Sequence, residues 1–363
     1  KEMIRTYISQ GMKRDAALVI CEVTKHQYYY LPNGKRQGLS ASTVTKRNQN
    51  KEIIEISNAN VVEEIKHVHK DPDTDYGYHK MTSQLRMLGY IINHKKVYRL
   101  MFESQLLKER HAKPSKVHVK YRKVFPTQPL EVLEMDIKFV WIEEFKRHAY
   151  VLSVIDTFTR ALLHGHVGYS IKKEDVKKVW EHIIVNHLQP HDCLNKQINI
   201  EVRNDNDSRF SAKKIQAYFK ENHLNQVFTH PYTPQENGHI ESFHAILSKK
   251  LKQYKFWSIQ ELDQVIILFY EKYNNQRLHS SICDLPPNIF IECWNKDLVE
   301  MQRDETKRTI KFKLKIKYDQ ISDNTSLKCS SSQDIVIPPV LADEQYLLTC
   351  KNDQRRHILQ TSA

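Results

Sequence analysis

The chain has 363 residues, 40% hydrophobic and 27% charged, an ordinary globular composition at a length that calls for two or three domains. Lysine and arginine number 56 against 43 acids, a formal net charge of +13, and such an excess suits a polyanionic partner, nucleic acid first. No apolar run is long enough to span a bilayer, and nothing at the start reads as a signal peptide.

The six cysteines, at 21, 193, 283, 293, 329 and 350, form no CxxC pair. That argues against a disulfide framework or zinc ribbon and for reduced packing residues in a cytoplasmic protein. The chain opens at Lys1 rather than a methionine, which leaves room for an upstream segment.

Residues 1–50 read as short helices and a linker. In "MKRDAALVICEVTKHQYYYL" the residues Ala16, Ala17, Ile20 and Val23 share a helical face, and Thr24 is an N-cap for the next helix. The turn between them has Glu22 where a helix-turn-helix usually has glycine. The polar run "LPNGKRQGLSASTVTKRNQNK" reads as linker.

Residues 51–107 read as a helix-turn-helix module. "ANVVEEIKHVHKDP" is a helix stopped by Pro72, then Met81, Leu85 and Leu88 form a stripe ended by Gly89. Asn93 caps a last helix with Val97, Leu100 and Met101 inward and Lys95, Lys96 and Arg99 outward. The outward face is either a DNA-gripping surface or the solvated side of a small bundle. Residues 108–129 follow as a basic linker, with seven Lys or Arg against one Glu between Lys108 and Lys123.

Residues 130–293 change character. "LEVLEMDIKFVWI" alternates, placing Leu133, Met135, Ile137, Phe139 and Trp141 on one face and Asp136 on the other. "HAYVLSVIDTFTR" and "ALLHGHVGYS" extend it to a three-stranded meander. Helix, strand, helix and short strand follow, then a long helix from about Gln235 to Tyr254. This order predicts a mixed five-stranded sheet with helices, the ribonuclease H-like arrangement, within a multidomain α plus α/β chain.

Three acids then converge: Asp136 in the first strand, Asp205 ending the fourth, and Glu241 early in the long helix. Two Mg²⁺ ions need such a set of hard oxygen ligands. Thirty-five residues separate Asp205 from Glu241, against thirty-three for Asp207. The longer interval is that of the DDE triad, and it leaves Asp207 to the turn.

The text around these acids resembles the OrfB-type transposase of the insertion-sequence-three family, a relative of retroviral integrase. It is carried by "EMDIKFVWI", "YVLSVIDTFTR", "EVRNDNDSRFSA", "HPYTPQENGHIESFHAILSKKL" and "YNNQRLHSSICDLPPNIF", with "YGYHKMTSQLRMLGY" ahead of them. The resemblance implies Mg²⁺-dependent cleavage and strand transfer at the inverted-repeat ends of an element and into target DNA, with Mn²⁺ as a substitute ion. It further implies an oligomer on DNA and an upstream OrfA-type DNA-binding partner. Asp136, Asp205 and Glu241 would be the catalytic and metal residues.

Two departures stand out: Lys138 where the family has Thr or Ser, and Asn206-Asp207 where it has Arg-Gly. We assign Asp156 to bonding a neighbouring strand or Arg160 rather than to metal. "HPYTPQENG" reads as a mobile loop at the DNA end, with Tyr232 and Asn237 as DNA contacts. Ser248, Lys249 and Lys252 occupy one face of the long helix, suitably placed for phosphates. In the 294–363 extension, "TIKFKLKIKY" puts Lys311, Lys313, Lys315 and Lys317 on one face of a strand. That strand is either part of a small DNA-contacting β domain or an edge guarded by lysines. The alternative to a transposase is a catalytically silent DNA-binding regulator or domesticated relative.

Overall fold

The computed structural model describes residues 1–30, 42–49, 51–108, 123–193, 198–230 and 233–326. The chain divides into two units, Lys1–Thr43 and Val44–Ala363.

The first unit contains α1 (Glu2–Ser9), α2 (Arg14–Ile20) and α3 (Lys25–Tyr29). Thr24 caps α3 as the sequence predicts, its hydroxyl accepting from Gln27 N while the Gln27 side chain accepts from the Thr24 N–H. Glu22 adopts φ 52°, so the turn does take the left-handed conformation despite lacking glycine. The inner face differs from expectation: Ile4, Ala17 and Leu18 are buried, while Ile20 is 64% exposed. Helix α2 ends at Ile20, so its buried stripe runs through Ala17 and Leu18 instead.

The second unit opens with a hairpin in a region whose sequence reads as linker, β1 (Val44–Gln49) and β2 (Glu52–Ser57). The inward positions of β1 are Thr45 and Arg47, so no apolar alternation marks it. Then come α4 (Asn58–His69), α5 (Tyr78–Met87), β3 (Tyr90–Ile91) and α6 (His94–Glu103). Gly89 sits at φ +88° with its missing Cβ position 2.4 Å from Asn48 O, so a side chain there would collide with the β1 backbone. Asn93 caps α6 through Lys96 N, and Val97, Leu100 and Met101 are buried, as expected.

The remaining strands and helices build a three-layer α/β body. In chain order they are β4 (Val132–Ile142), β5 (Arg147–Asp156), β6 (Leu162–Gly168), α7 (Lys173–Ile183), β7 (Ile200–Asn204), α8 (Ser208–Ser211), α9 (Lys213–Glu221), β8 (Leu224–Phe228), α10 (Gly238–Leu251), α11 (Ile259–Asn275) and α12 (Pro287–Asn295). The sheet runs β6-β5-β4-β7-β8, with β4 antiparallel to β5 and parallel to β7. Leu133, Met135 and Ile137 of β4 pack with Trp180 of α7 and Phe219 of α9. Val140 and Ile142, of the opposite parity, pack with Phe243 and Leu247 of α10 and Phe269 of α11. Each fully buried side chain of this kind contributes about 1.5–3 kcal/mol. The apolar row of β4 is shorter than its pattern, for Phe139 and Trp141 are 55% and 44% exposed beyond the helices.

A hairpin, β9 (Val299–Asp304) and β10 (Thr309–Leu314), and a short α13 (Ile321–Asn324) close the described chain. The helical module does not stand apart. Ile65, Leu85 and Leu100 share one core with Phe158, Leu278, Phe290 and Ile321, and Phe312 of β10 packs against it. Among the described residues no helix is long and apolar enough to cross a membrane.

Candidate active site

The pairing of β4 with β7 sets the centre of the site. Their register aligns Leu133 with Val202 and Glu134 with Arg203. Carried two residues onward, it brings Asp205 beside Asp136. Helix α10 crosses the same face, where His244 Nδ1 lies 3.3 Å from Asp136 Oδ2. Glu241 is one helical turn before His244, on the same side.

The electrostatics follow from this crowding. The Asp205 carboxyl is pushed above its ordinary range by desolvation first, then by the charges of Asp136 and Asp207, against a bond from the Asp207 N–H. Glu241 is pushed up as well, by desolvation and by the charges of Asp136 and Glu134. Both side chains are exposed, so water screens part of the effect. Among the described residues no three such groups are already gathered closely enough to hold an ion.

Asp207 is employed otherwise. Its Oδ1 accepts from Arg209 N at 2.8 Å, capping α8, and from Arg209 Nε at 2.8 Å. That pairing holds its carboxyl below the usual range. Asp156 is fully buried, with Oδ1 and Oδ2 accepting from Phe158 N, Thr159 N and Thr159 Oγ1. It fastens its own turn and also takes a bond from the Leu130 N–H just ahead of β4, as expected of a tie to the neighbouring strand, while the Arg160 guanidinium bonds Ser281 Oγ and Thr157 O.

The loop before α10 is tied down where it is described. Glu236, 5% exposed, accepts from His230 N and Nδ1, both at 3.0 Å. The expected mobile segment therefore ends in a 3-10 turn, Pro234–Asn237. Asn237 is buried at 7% exposure rather than displayed to DNA, and Tyr232 lies outside the described residues.

The other predicted DNA contacts divide by exposure. Lys95, Lys249 and Lys252 are exposed. Lys96 is half-buried, its ammonium donating to Val44 O at 2.6 Å, and Arg99 is half-buried 3.8 Å from Glu103, so neither is simply outward. Lys311, Lys313, Lys315 and Lys317 alternate outward as the pattern predicts, Lys315 pairing with Asp297 at 2.7 Å. Strand β10 lies at the edge of its hairpin, with Ile310, Phe312 and Leu314 turned inward.

Sequence reasoning missed Glu134, His239 and His244. Glu134 was findable, since it shares strand parity with Asp136 two residues away. The histidines sit on the α10 turn around Glu241 without any pattern to mark them.

Three family models match the chain: an HTH-like domain over residues 55–114, and integrase core domains over 126–234 and 222–287. A protein of insertion element IS476 from Xanthomonas euvesicatoria is 26% identical over 217 residues, covering 59% of this chain and 60% of that one, so the likeness spans less than two thirds of that relative. The InsK protein for insertion sequence element IS150 of Escherichia coli is 26% identical over 242 residues, covering 63% of this chain and 82% of that one. Among solved structures, the catalytic core domain of BIV integrase is 17% identical at a TM-score of 0.34, over 46% of this chain and 98% of that one.

An HTH-like match lies ahead of two overlapping integrase-core matches, and the latter fall on the mixed five-stranded sheet. The chain is similar to proteins of bacterial insertion elements over about three fifths of its length.

Proposed function

We propose that this chain cuts and rejoins the DNA ends of an insertion sequence, with Asp136, Asp205 and Glu241 as its catalytic carboxylates. The observation that carries the reading is the β4–β7 register, which sets Asp205 beside Asp136 under the helix that bears Glu241. The name of the InsK relative, a transposase, supports it.

The chemistry of the donor set, three carboxylates, suits Mg²⁺. Its oxygens are hard ligands, and the Asp205 and Glu241 carboxyls are pushed up by desolvation first and then by the charges of neighbouring acids. Divalent cations bound at the three carboxylates would activate water or a terminal 3′-hydroxyl and stabilise the leaving oxygen of the phosphodiester. The chain's own residues supply placement. Strand β4 holds Asp136, Asp205 follows directly on the end of β7, α10 presents Glu241, and the exposed Lys249 and Lys252 further along α10 offer cations to phosphates. Lys95 of the HTH-like module and the lysine edge of β10 extend that basic surface to double-stranded DNA. An oligomer assembled on two DNA ends and an OrfA-type partner complete the proposal.

The test is a Mg²⁺-dependent nicking and joining assay on DNA carrying the element's terminal repeats. Wild type should cut, and Asp136→Asn and Glu241→Gln should bind the same DNA without cutting, because an amide keeps shape and loses charge. A wild-type chain that binds the repeats and never cuts them would favour a silent DNA-binding regulator.

A further inference from the structure

We propose that Glu134 is a positioning residue that sets the distance between the strand of Asp136 and the helix of Glu241; the inference rests on the triad reading above. Glu134 lies on β4, on the same face as Asp136, and is fully buried. Its carboxylate bonds the start of α10 with both oxygens. Oε2 accepts from His239 N at 2.9 Å and Ile240 N at 2.8 Å, and Oε1 pairs with His239 Nδ1 at 2.7 Å.

A helix begins with unpaired N–H groups, which a side chain at the N-cap usually satisfies. Here Asn237 occupies that position and makes no capping bond. A carboxylate from a distant strand caps the helix in its place, with the positive end of the helix dipole favouring its charge. Two rigid elements are thereby fastened together one residue before Glu241 and two residues before Asp136. His244 Nδ1 approaches Asp136 Oδ2 at 3.3 Å one turn on. Both oxygens of Glu134 are engaged by α10, so the residue acts through the others rather than as a fourth ligand. Ligand sets must be held to a fraction of an ångström, and supporting bonds of this kind set that tolerance.

Two substitutions separate placement from charge. Glu134→Asp keeps the charge and shortens the reach. Glu134→Gln keeps the reach: its carbonyl oxygen can accept both backbone N–H groups while its amide donates to His239 Nδ1 in the other tautomer. The probe is Mn²⁺ titrated into the full chain, with free ion followed by electron paramagnetic resonance, alongside cooperative melting of each variant. Glu134→Gln should bind Mn²⁺ within about threefold of wild type and Glu134→Asp about tenfold more weakly. The reverse order, or a Glu134→Asp variant equal to wild type, overturns the positioning role. The triad reading fails separately if Asp136→Asn and Asp205→Asn both keep wild-type Mn²⁺ affinity, and the role given to Glu134 then falls with it.

Discussion

Asp205 and Asp207 stand two residues apart and face different partners: Asp205 borders Asp136, while Asp207 grips the Arg209 side chain and caps α8. Alternation along a strand cannot distinguish them, since they share parity. The end of β7 at Asn204 does, because it leaves Asp205 where the sheet still fixes its direction. Asp205→Asn should eliminate Mg²⁺-dependent cleavage. Asp207→Asn should keep it within about tenfold, or roughly 1.4 kcal/mol of barrier, and lose some thermal stability with the charge that pairs Arg209. Cleavage assays of both variants side by side decide the matter; an active Asp205→Asn and a dead Asp207→Asn would move the site into the turn.

The crowded carboxylates should be visible in stability as well as in catalysis. Asp205 and Glu241 hold protons more tightly in the folded chain than an ordinary carboxylate does. A raised folded-state affinity means stability is lost as pH rises through that range and the penalty is complete at neutral pH. In EDTA at pH 7, Asp205→Asn should therefore melt above wild type. The gap should close on acidification, where the wild-type group is already protonated, and on addition of Mg²⁺ at pH 7. Identical melting temperatures in EDTA at pH 7 would show that the repulsion is negligible.

The order of strands and helices in the core was legible because its patterns were strong. Met135 and Ile137 alternate with Asp136, and Val97, Leu100 and Met101 repeat at helical spacing. What escaped depended on long-range partners. The β1 strand turns Thr45 and Arg47 inward, so only its pairing with β2 and β3 reveals it. Phe139 and Trp141 continue the pattern of β4 beyond the helices that would cover them. Asp71 and Asp73, which flank Pro72, bond Lys272 and Lys250 about two hundred residues away in sequence. Of the candidate site, the spacing from Asp205 to Glu241 could be read directly. Glu134 could not be assigned a role until α10 was seen to start against it.

The exposed lysines predict a specific salt dependence. Replacing Lys95, Lys249 and Lys252 together with alanine should weaken DNA binding and reduce the log–log salt slope by about 0.9 for each phosphate no longer neutralised. Folding should be unaffected, since all three are exposed. Lys96→Ala is the contrasting case: its ammonium is committed to Val44 O, so it should disturb the β1 end of the module more than the slope. Binding curves across a salt series provide the measurement. An unchanged slope in the triple variant would place the DNA on another surface, with Lys311, Lys313 and Lys317 the next to test.

The helical module reaches α10 through one well-shielded ion pair. Asp73 lies 2.7 Å from Lys250, with the two side chains 11% and 14% exposed, and Arg277 donates to the Asp73 carbonyl at 2.7 Å. Removing one member of such a pair strands the other's charge, which costs about 3–5 kcal/mol when burial is complete. Here Asp71 sits close enough to relieve Lys250 in part, since its charge is among those acting on that ammonium. Asp73→Leu should therefore cost about 2–3 kcal/mol, below that range. Replacing both members, Asp73→Leu with Lys250→Met, should recover part of the loss, because no charge is then left unpaired. Urea denaturation of the single and double variants gives the coupling energy by a double-mutant cycle. A double variant as unstable as the sum of its singles would mean that the two residues do not interact.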